Sequence, residues 1–246
     1  MNNDFVFEEP LLEGVILKRR NRFIMEVEHD GTIHDCHCPT TGRIGNIVFE
    51  DIPCLLSRSK DPARKTAYTV EAISLDLRSQ PEKNWIGINQ NAANRYVEHF
   101  LKNGGFSKMV GEGEQEVMRE QKLGISKLDF RIGYTYLEVK TPLVSLQVEC
   151  GSHIKTTKAA PFSSTDRFVK HINELANSLN DNKRAIMLLC FIYDNPGFAV
   201  GVRSTNSNYV GEQVQKSTSK GVEIWQVNFR ITPQKVEMMR YFPTIH

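Results

Sequence analysis

The residues best suited to chemistry lie between Glu120 and Lys140, in the run Glu-Gln-Lys-Leu-Gly-Ile-Ser-Lys-Leu-Asp-Phe-Arg-Ile-Gly-Tyr-Thr-Tyr-Leu-Glu-Val-Lys. Apolar residues alternate with charged ones and Gly133 sits where the chain must reverse, so the run predicts two strands around a tight turn. With Gly133 and Tyr134 as a two-residue loop, Ile132 pairs with Thr135 and Asp129 falls opposite Glu138. Alternate residues of a strand share a face, and so do cross-strand partners. Asp129, Glu138 and Lys140 then converge on one side, with Leu137 and Val139 facing the core. Two carboxylates and a lysine in that arrangement suit a divalent cation with a water beside it, the equipment for phosphodiester hydrolysis. Glu120, on the segment leading in, could supply a third carboxylate. The same Glu-x-Lys spacing also suits a solvated edge or a cross-strand ion pair, and a bulged turn would shift the register.

The flanking pattern supplies the elements that must hold this hairpin. Residues 12–17, 22–28 and 32–38 alternate apolar and polar side chains, and Asp30-Gly31 marks a hairpin turn between the last two. Residues 44–49, 54–59 and 66–75 read as further strands, and Pro39-Thr40-Thr41-Gly42 as a loop. Short strands at this spacing predict a small barrel over residues 1–80, for which the oligonucleotide-binding barrel is one candidate. Residues 1–10 are acidic and read as a frayed start, and residues 77–84, polar with Pro81, as a linker between halves. From Trp85 onward strands and helices alternate, so residues 81–246 read as an α/β domain. Its expected parts are a strand at 85–88, a helix at 92–102 capped by Asn91, and a polar segment at 112–122. After the hairpin come a strand at 144–148, a loop at 151–163 and a helix at 164–179. Ser164 or Thr165 caps that helix, and Phe168, Ile172, Leu175, Ala176 and Leu179 form its apolar stripe. Residues 184–193 read as a central strand buried on both faces, followed by a strand at 200–202, a helix at 209–219 and a strand at 222–231.

With 246 residues and a net charge of +2, the chain can bury a sizeable core, and nucleic-acid binding must come from local clusters rather than overall charge. Two clusters qualify. Arg19, Arg20 and Arg22 follow Lys18 with Phe23 beside them, and Arg58, Arg64 and Lys65 accompany Lys60 with Tyr68 nearby. Both also fit solvated strand ends. Lys170, on the later helix, could add a phosphate contact. His34, Cys36, His37 and Cys38 resemble metal-ligand material, but no second pair at a distance completes a zinc pattern, and buried packing accounts for the thiols equally. His171 reads as a packing or capping histidine. Five cysteines without a signal peptide fit a reducing cytoplasmic compartment. No apolar run spans a membrane, so no membrane association is expected.

Many blocks, in order along nearly the whole length, resemble the sugar fermentation stimulation protein A (SfsA) family. They include Leu12-Glu13-Gly14-Val15 with Arg19-Arg20-Asn21-Arg22-Phe23, His37-Cys38-Pro39-Thr40-Thr41-Gly42, and Leu56-Ser57-Arg58-Ser59 with Arg64-Lys65. Trp85-Ile86-Gly87-Ile88-Asn89 and Ala93-Asn94-Arg95 follow, then Ser126-Lys127-Leu128-Asp129-Phe130 and Tyr136-Leu137-Glu138-Val139-Lys140-Thr141. Thr165-Asp166-Arg167 with Lys170-His171-Ile172 and Gly221-Val222-Glu223-Ile224 complete the series. Departures include Thr40-Thr41 for Asn-Thr, Leu123 for a tyrosine and Thr141-Pro142-Leu143-Val144 after the lysine. The resemblance implies a small OB-like β-barrel followed by a restriction-endonuclease-like α/β domain of the PD-(D/E)xK type. In such domains Asp129 and Glu138 would bind Mg²⁺ or Mn²⁺, Lys140 would position the water and Glu120 would complete the acidic site. It also implies DNA as partner, single- or double-stranded, and a link to sugar (maltose) use. Homo-oligomerisation is left open, and the competing class is a DNA-binding regulator whose nuclease fold is idle.

Overall fold

The computed structural model describes residues 3–113, 116–124, 126–163, 165–180 and 184–244. It begins with β1 (Phe5–Val6), β2 (Leu12–Arg19), β3 (Ile24–His29), β4 (Thr32–His37), β5 (Ile52–Arg58), β6 (Tyr68–Ser74) and β7 (Trp85–Gly87). The last six form one sheet in the order β4-β3-β2-β5-β6-β7. A parallel contact between His37 and Thr69 joins β4 to β6 and closes five of these strands into an OB-like barrel. The hairpin between β3 and β4 turns at Asp30 (φ 50°) and Gly31 (φ 71°), the paired positive φ values of a two-residue type I′ loop.

The expected strand over residues 44–49 is irregular. Ile44, Ile47 and Phe49 are buried as anticipated, but Ile47 makes only an isolated bridge to Thr156. The segment bonds to the second half of the chain instead, Val48 N to Lys155 O at 2.8 Å and Thr157 N to Asn46 O at 2.6 Å. The polar stretch 77–84 connects β6 to β7 inside the barrel sheet, so it does not divide the halves. A break at residue 80/81 would cut β7 from the sheet to which it hydrogen-bonds. The acidic N-terminal residues are not frayed from Asn3 on: β1 pairs with the last strand of the second sheet.

The second half contains α1 (Gln90–Lys102), α2 (Ser107–Val110), β8 (Val117–Leu123), β9 (Ser126–Ile132), β10 (Thr135–Lys140), α3 (Asp166–Ser178), β11 (Arg184–Phe191), α4 (Ser207–Ser219), β12 (Glu223–Ile231) and β13 (Lys235–Pro243). The sheet order is β1-β13-β12-β11-β10-β9-β8, with β10, β11 and β12 parallel and the remaining pairs antiparallel. Asn89, not Asn91, caps α1, its side chain accepting from the backbone of Asn91 and Ala92. Thr165 precedes α3 without a side-chain cap bond and pairs with Asn206, while Ser164 lies outside the described residues. The expected short strands at 144–148 and 200–202 do not form. Gln147 bridges these regions through its side chain, donating to Gly197 O and accepting from Ala199 N, each at 2.8 Å.

Central β11 is buried on both faces, as its continuous apolar run requires. Ile186, Leu188 and Cys190 pack with α1, whereas Ala185, Met187, Leu189 and Phe191 join the core that contains α3 and the barrel interior. Gly87 lies so close to Ile192 that an added Cβ would meet its side chain at 2.3 Å, and Gly87 N donates to Ile192 O at 2.8 Å. Barrel and α/β sheet therefore share one core and touch backbone to backbone.

Candidate active site and nucleic-acid surface

The hairpin forms in the expected register. Thr135 pairs with Ile132, Tyr136 with Arg131 and Leu137 with Phe130. The ladder then stops one pair short of Asp129 and Glu138. Past that point Val139 donates its N–H to Asp129 Oδ2 at 2.8 Å, so the carboxylate occupies the gap where the strands separate. Asn94 of α1 donates to the other oxygen of Asp129 at 2.7 Å.

Leu137 and Val139 face the α1 core, which turns Glu138 and Lys140 toward α3. Glu138 is 1 % exposed. Its Oε1 accepts from Lys140 Nζ at 2.5 Å and hydrogen-bonds His171 Nδ1, and Lys140 Nζ lies 3.1 Å from the same imidazole nitrogen. Glu138 Oε2 is buried and has no hydrogen-bond partner among the described residues. A buried, ionised oxygen without a donor is costly, and in native proteins such a position calls for an ion or a bound group.

The electrostatics separate the two acids. Burial raises the Asp129 carboxyl above its usual range, and the charge of Glu138 adds to this, against smaller opposing effects of Val139, Asn94 and Lys140. Burial also pushes Glu138 up, but the bonds and charges of His171 and Lys140 outweigh it and hold that carboxyl low. A fixed anion beside a carboxyl that resists ionisation is an arrangement a divalent cation would relieve.

Glu120 does not join this pair. It falls opposite Asp129, between the pairs Arg119–Phe130 and Gln121–Leu128, but adopts φ 53° and breaks the ladder there. Its side chain is 64 % exposed and pairs with Lys127 at 2.6 Å. Among the described residues no group of three His, Cys, Asp or Glu side chains is placed to hold a metal. That includes His34, Cys36, His37 and Cys38. Cys36, Cys38 and Cys54 are buried, and burial raises their thiols, Cys36 to about 12, which suits neutral packing groups. His171 and Asn94 are the partners that sequence reasoning missed. His171 interrupts an apolar stripe, a signal in itself, whereas nothing local marks Asn94.

The basic clusters divide on inspection. Arg19 is structural: its guanidinium donates to Thr40 O at 2.6 Å, Gly42 O at 3.0 Å and Arg22 O at 3.2 Å, bracing the 38–42 loop. Arg20 pairs with Glu26 and Asp35. Arg22 is exposed and stacks at 4.7 Å over the exposed ring of Phe23. Arg58 lies 5.8 Å over Tyr68, and Arg64 and Lys65 are exposed without charged partners among the described residues. Barrel closure brings the two clusters together, since Arg20 and Lys65 line one surface cleft with His34 and Asp35. Lys170 is exposed on α3, one residue before His171. No described helix is long and apolar enough to cross a membrane.

A closed OB-like barrel fused to an α/β sheet that carries a carboxylate–lysine–histidine cluster defines a two-part architecture. Family models match both parts: the SfsA N-terminal OB domain over residues 17–88 and the sugar fermentation stimulation protein RE domain over residues 91–235. The chain belongs to the SfsA family. It is 32% identical over 232 residues to the sugar fermentation stimulation protein homolog of Microcystis aeruginosa, covering 91% of this chain and 90% of that protein. To the homolog from Gloeobacter violaceus it is 32% identical over 239 residues, 94% of this chain and 93% of the relative. A homolog from Pseudomonas aeruginosa is 30% identical over 244 residues, covering 96% and 98%. Among solved structures, Pyrococcus furiosus SfsA in complex with Ca²⁺ superposes with a TM-score of 0.72 at 18% identity, covering 95% of each chain.

Proposed function

We propose that the barrel binds nucleic acid, DNA in the first instance, and that the second domain is a PD-(D/E)xK-type hydrolase acting on phosphodiesters with Mg²⁺ or Mn²⁺. The observation that carries this reading is Oε2 of Glu138, buried and without a hydrogen-bond partner among the described residues, within electrostatic reach of the second carboxylate, Asp129. These two side chains would hold the cation. When bound, it neutralises charge developing on the phosphate and lowers the pKa of a water. Lys140, one-fifth exposed at its side chain, orients that water and contacts the scissile phosphate. Asn94 and the Val139 N–H keep Asp129 in place. The arginine and lysine side chains that remain exposed on the barrel, Arg22, Arg58, Arg64 and Lys65, contact the backbone phosphates, with Phe23 as a stacking surface. A Ca²⁺ complex of the Pyrococcus furiosus relative supports a site for hard divalent cations in this fold.

One observation favours a second reading, a DNA-binding regulator of sugar use with an idle nuclease fold: Glu120 is turned to solvent, leaving two carboxylates rather than three. Incubating the protein with plasmid and single-stranded DNA and Mg²⁺ or Mn²⁺ decides between them. Metal-dependent cutting that disappears in Asp129→Ala and Lys140→Ala supports hydrolysis. Binding without cutting under either metal supports the regulator, and cutting that persists unchanged in both variants refutes the site.

A further inference from the structure

Among the described residues, His171 is the one ionisable side chain bonded to Glu138 that the hydrolytic chemistry does not itself require. It lies on α3, 5 % exposed, within the stripe formed by Phe168, Ile172 and Leu175. An imidazole is a poor choice for an apolar stripe unless it has polar partners, and here these are Glu138 and Lys140. His171 Nδ1 and Lys140 Nζ both meet a single oxygen of Glu138, Oε1, and Oε2 has no hydrogen-bond partner among the described residues.

We propose that His171 is a positioning residue, which pins Glu138 Oε1 from α3 and so holds Oε2 turned toward the place a divalent cation takes beside Asp129. This rests on the metal reading above. Lys140 alone is not a sufficient anchor. Its four-carbon stem is mobile, its side chain is 21% exposed, and its proposed task takes the ammonium to water and phosphate. His171 has only two rotatable bonds and sits on a helix whose apolar face is buried in the shared core. It therefore keeps its hold on Glu138 when Lys140 turns away. With Nδ1–H as donor, the tautomer in which Lys140 donates to Oε1 and not to the ring nitrogen, His171 holds Oε1 of the ionised acid and leaves Oε2 to a cation, the role that carboxylate-orienting groups play around many metal sites.

The test is Mn²⁺ titration of the full-length protein by calorimetry, without nucleic acid, on the wild type, E138Q, H171A, H171N and H171L. The wild type is expected to bind and E138Q to lose binding. H171A and H171L should weaken binding about 10–100-fold, the range seen when ligand-orienting partners are removed. H171N, whose amide N–H lies near the position of Nδ1–H, should recover most of that loss. Circular dichroism melts establish that each variant is folded, and should H171A fail to fold, H171N against the similar-sized H171L decides. H171A and H171L binding Mn²⁺ as tightly as the wild type, while E138Q does not, overturns the role of His171 and leaves the metal reading intact. A wild type that binds no Mn²⁺, or an E138Q that binds as well, overturns both. Equal weakening in H171N and H171L also overturns the proposal, because volume rather than the donated hydrogen bond would then be what matters.

Discussion

Asp129 and Glu138 are both carboxylates within electrostatic reach, yet their environments push them in opposite directions. Glu138, held low, contributes stability above its ordinary value of 4.5 and loses it as pH falls through its lowered folded value. Asp129 behaves in the opposite sense. Its raised carboxyl favours the folded state below the ordinary value of 3.8, and that contribution is lost as pH rises through the raised value. At neutral pH without metal, ionisation of Asp129 is therefore a liability. Asp129→Asn leaves one of its two donors, Asn94 or the Val139 N–H, without an acceptor at every pH. Relative to the wild type, however, it should gain roughly 2–4 °C of metal-free melting temperature between acid and neutral pH, the shift expected for about 1 kcal/mol in a chain of this size. No such gain should accrue below about pH 4, where Asp129 is protonated anyway. Thermal melts at pH 7 and pH 3.5 check this, and an equal difference from the wild type at both would contradict the electrostatic origin. At this scale the sequence was informative where residues alternate. The register of the hairpin that carries Asp129, Glu138 and Lys140 was legible from strand periodicity. Glu120 was misplaced because its positive φ, invisible in the pattern, turns it outward. Asn94 and His171 reach the site across more than 30 positions in sequence, a tertiary contact that local spacing does not encode.

Elements decide which charges are structural. Arg19 ends β2, and its guanidinium gathers the carbonyls of Arg22, Thr40 and Gly42, fastening the loop that leads out of β4. Thr40 in turn donates to Ile88 O, next to the end of β7. Arg19→Ala should cost about 2–3 kcal/mol, since it strips carbonyls of a charged donor. Arg22→Ala, three residues on in the turn before β3 and exposed, should stay within about 0.5 kcal/mol. Urea unfolding of the two variants distinguishes them, and equal effects would contradict the division of roles drawn here. Sequence reading grouped both arginines as phosphate contacts because composition cannot tell a solvated guanidinium from one folded back onto a loop. The same limit explains the strand expected at 44–49: alternation showed that Ile44, Ile47 and Phe49 would be buried, but not that the backbone of Asn46 and Val48 would bond to Thr157 and Lys155. β13 escaped notice because Met239 and Arg240 break the alternation that Lys235, Val236, Glu237 and Met238 begin, at a register shift opposite Asn228 and Phe229.

Across the whole molecule, barrel and α/β sheet are halves of one packed unit. Barrel residues such as Ile16 and Val70 lie in the same core as Ile172 and Met187, and β7 meets the chain just after β11 through Gly87 and Ile192. The two-part order of folds was readable because strand-rich and helix-alternating stretches follow one another. Their shared core was not, since nothing in a linear pattern says which apolar faces meet. This union fixes the barrel's exposed cations relative to the Glu138 cluster. If they hold the phosphate backbone, affinity should fall steeply with salt, and neutralising Arg22, Arg64 and Lys65 should flatten the slope by about one unit per charge removed. Neutralising Arg20, already paired with Glu26 and Asp35, should change it less. An unchanged slope in the triple variant would place the nucleic acid elsewhere on the molecule.

The central claim is that Asp129 and Glu138 share one divalent cation. A crystal soaked in Mn²⁺ and measured for anomalous scattering tests it most directly. A single strong peak in contact with Asp129 and with Oε2 of Glu138, absent from crystals of Glu138→Gln, is the predicted result; no peak there, or one held by other residues, would contradict the account.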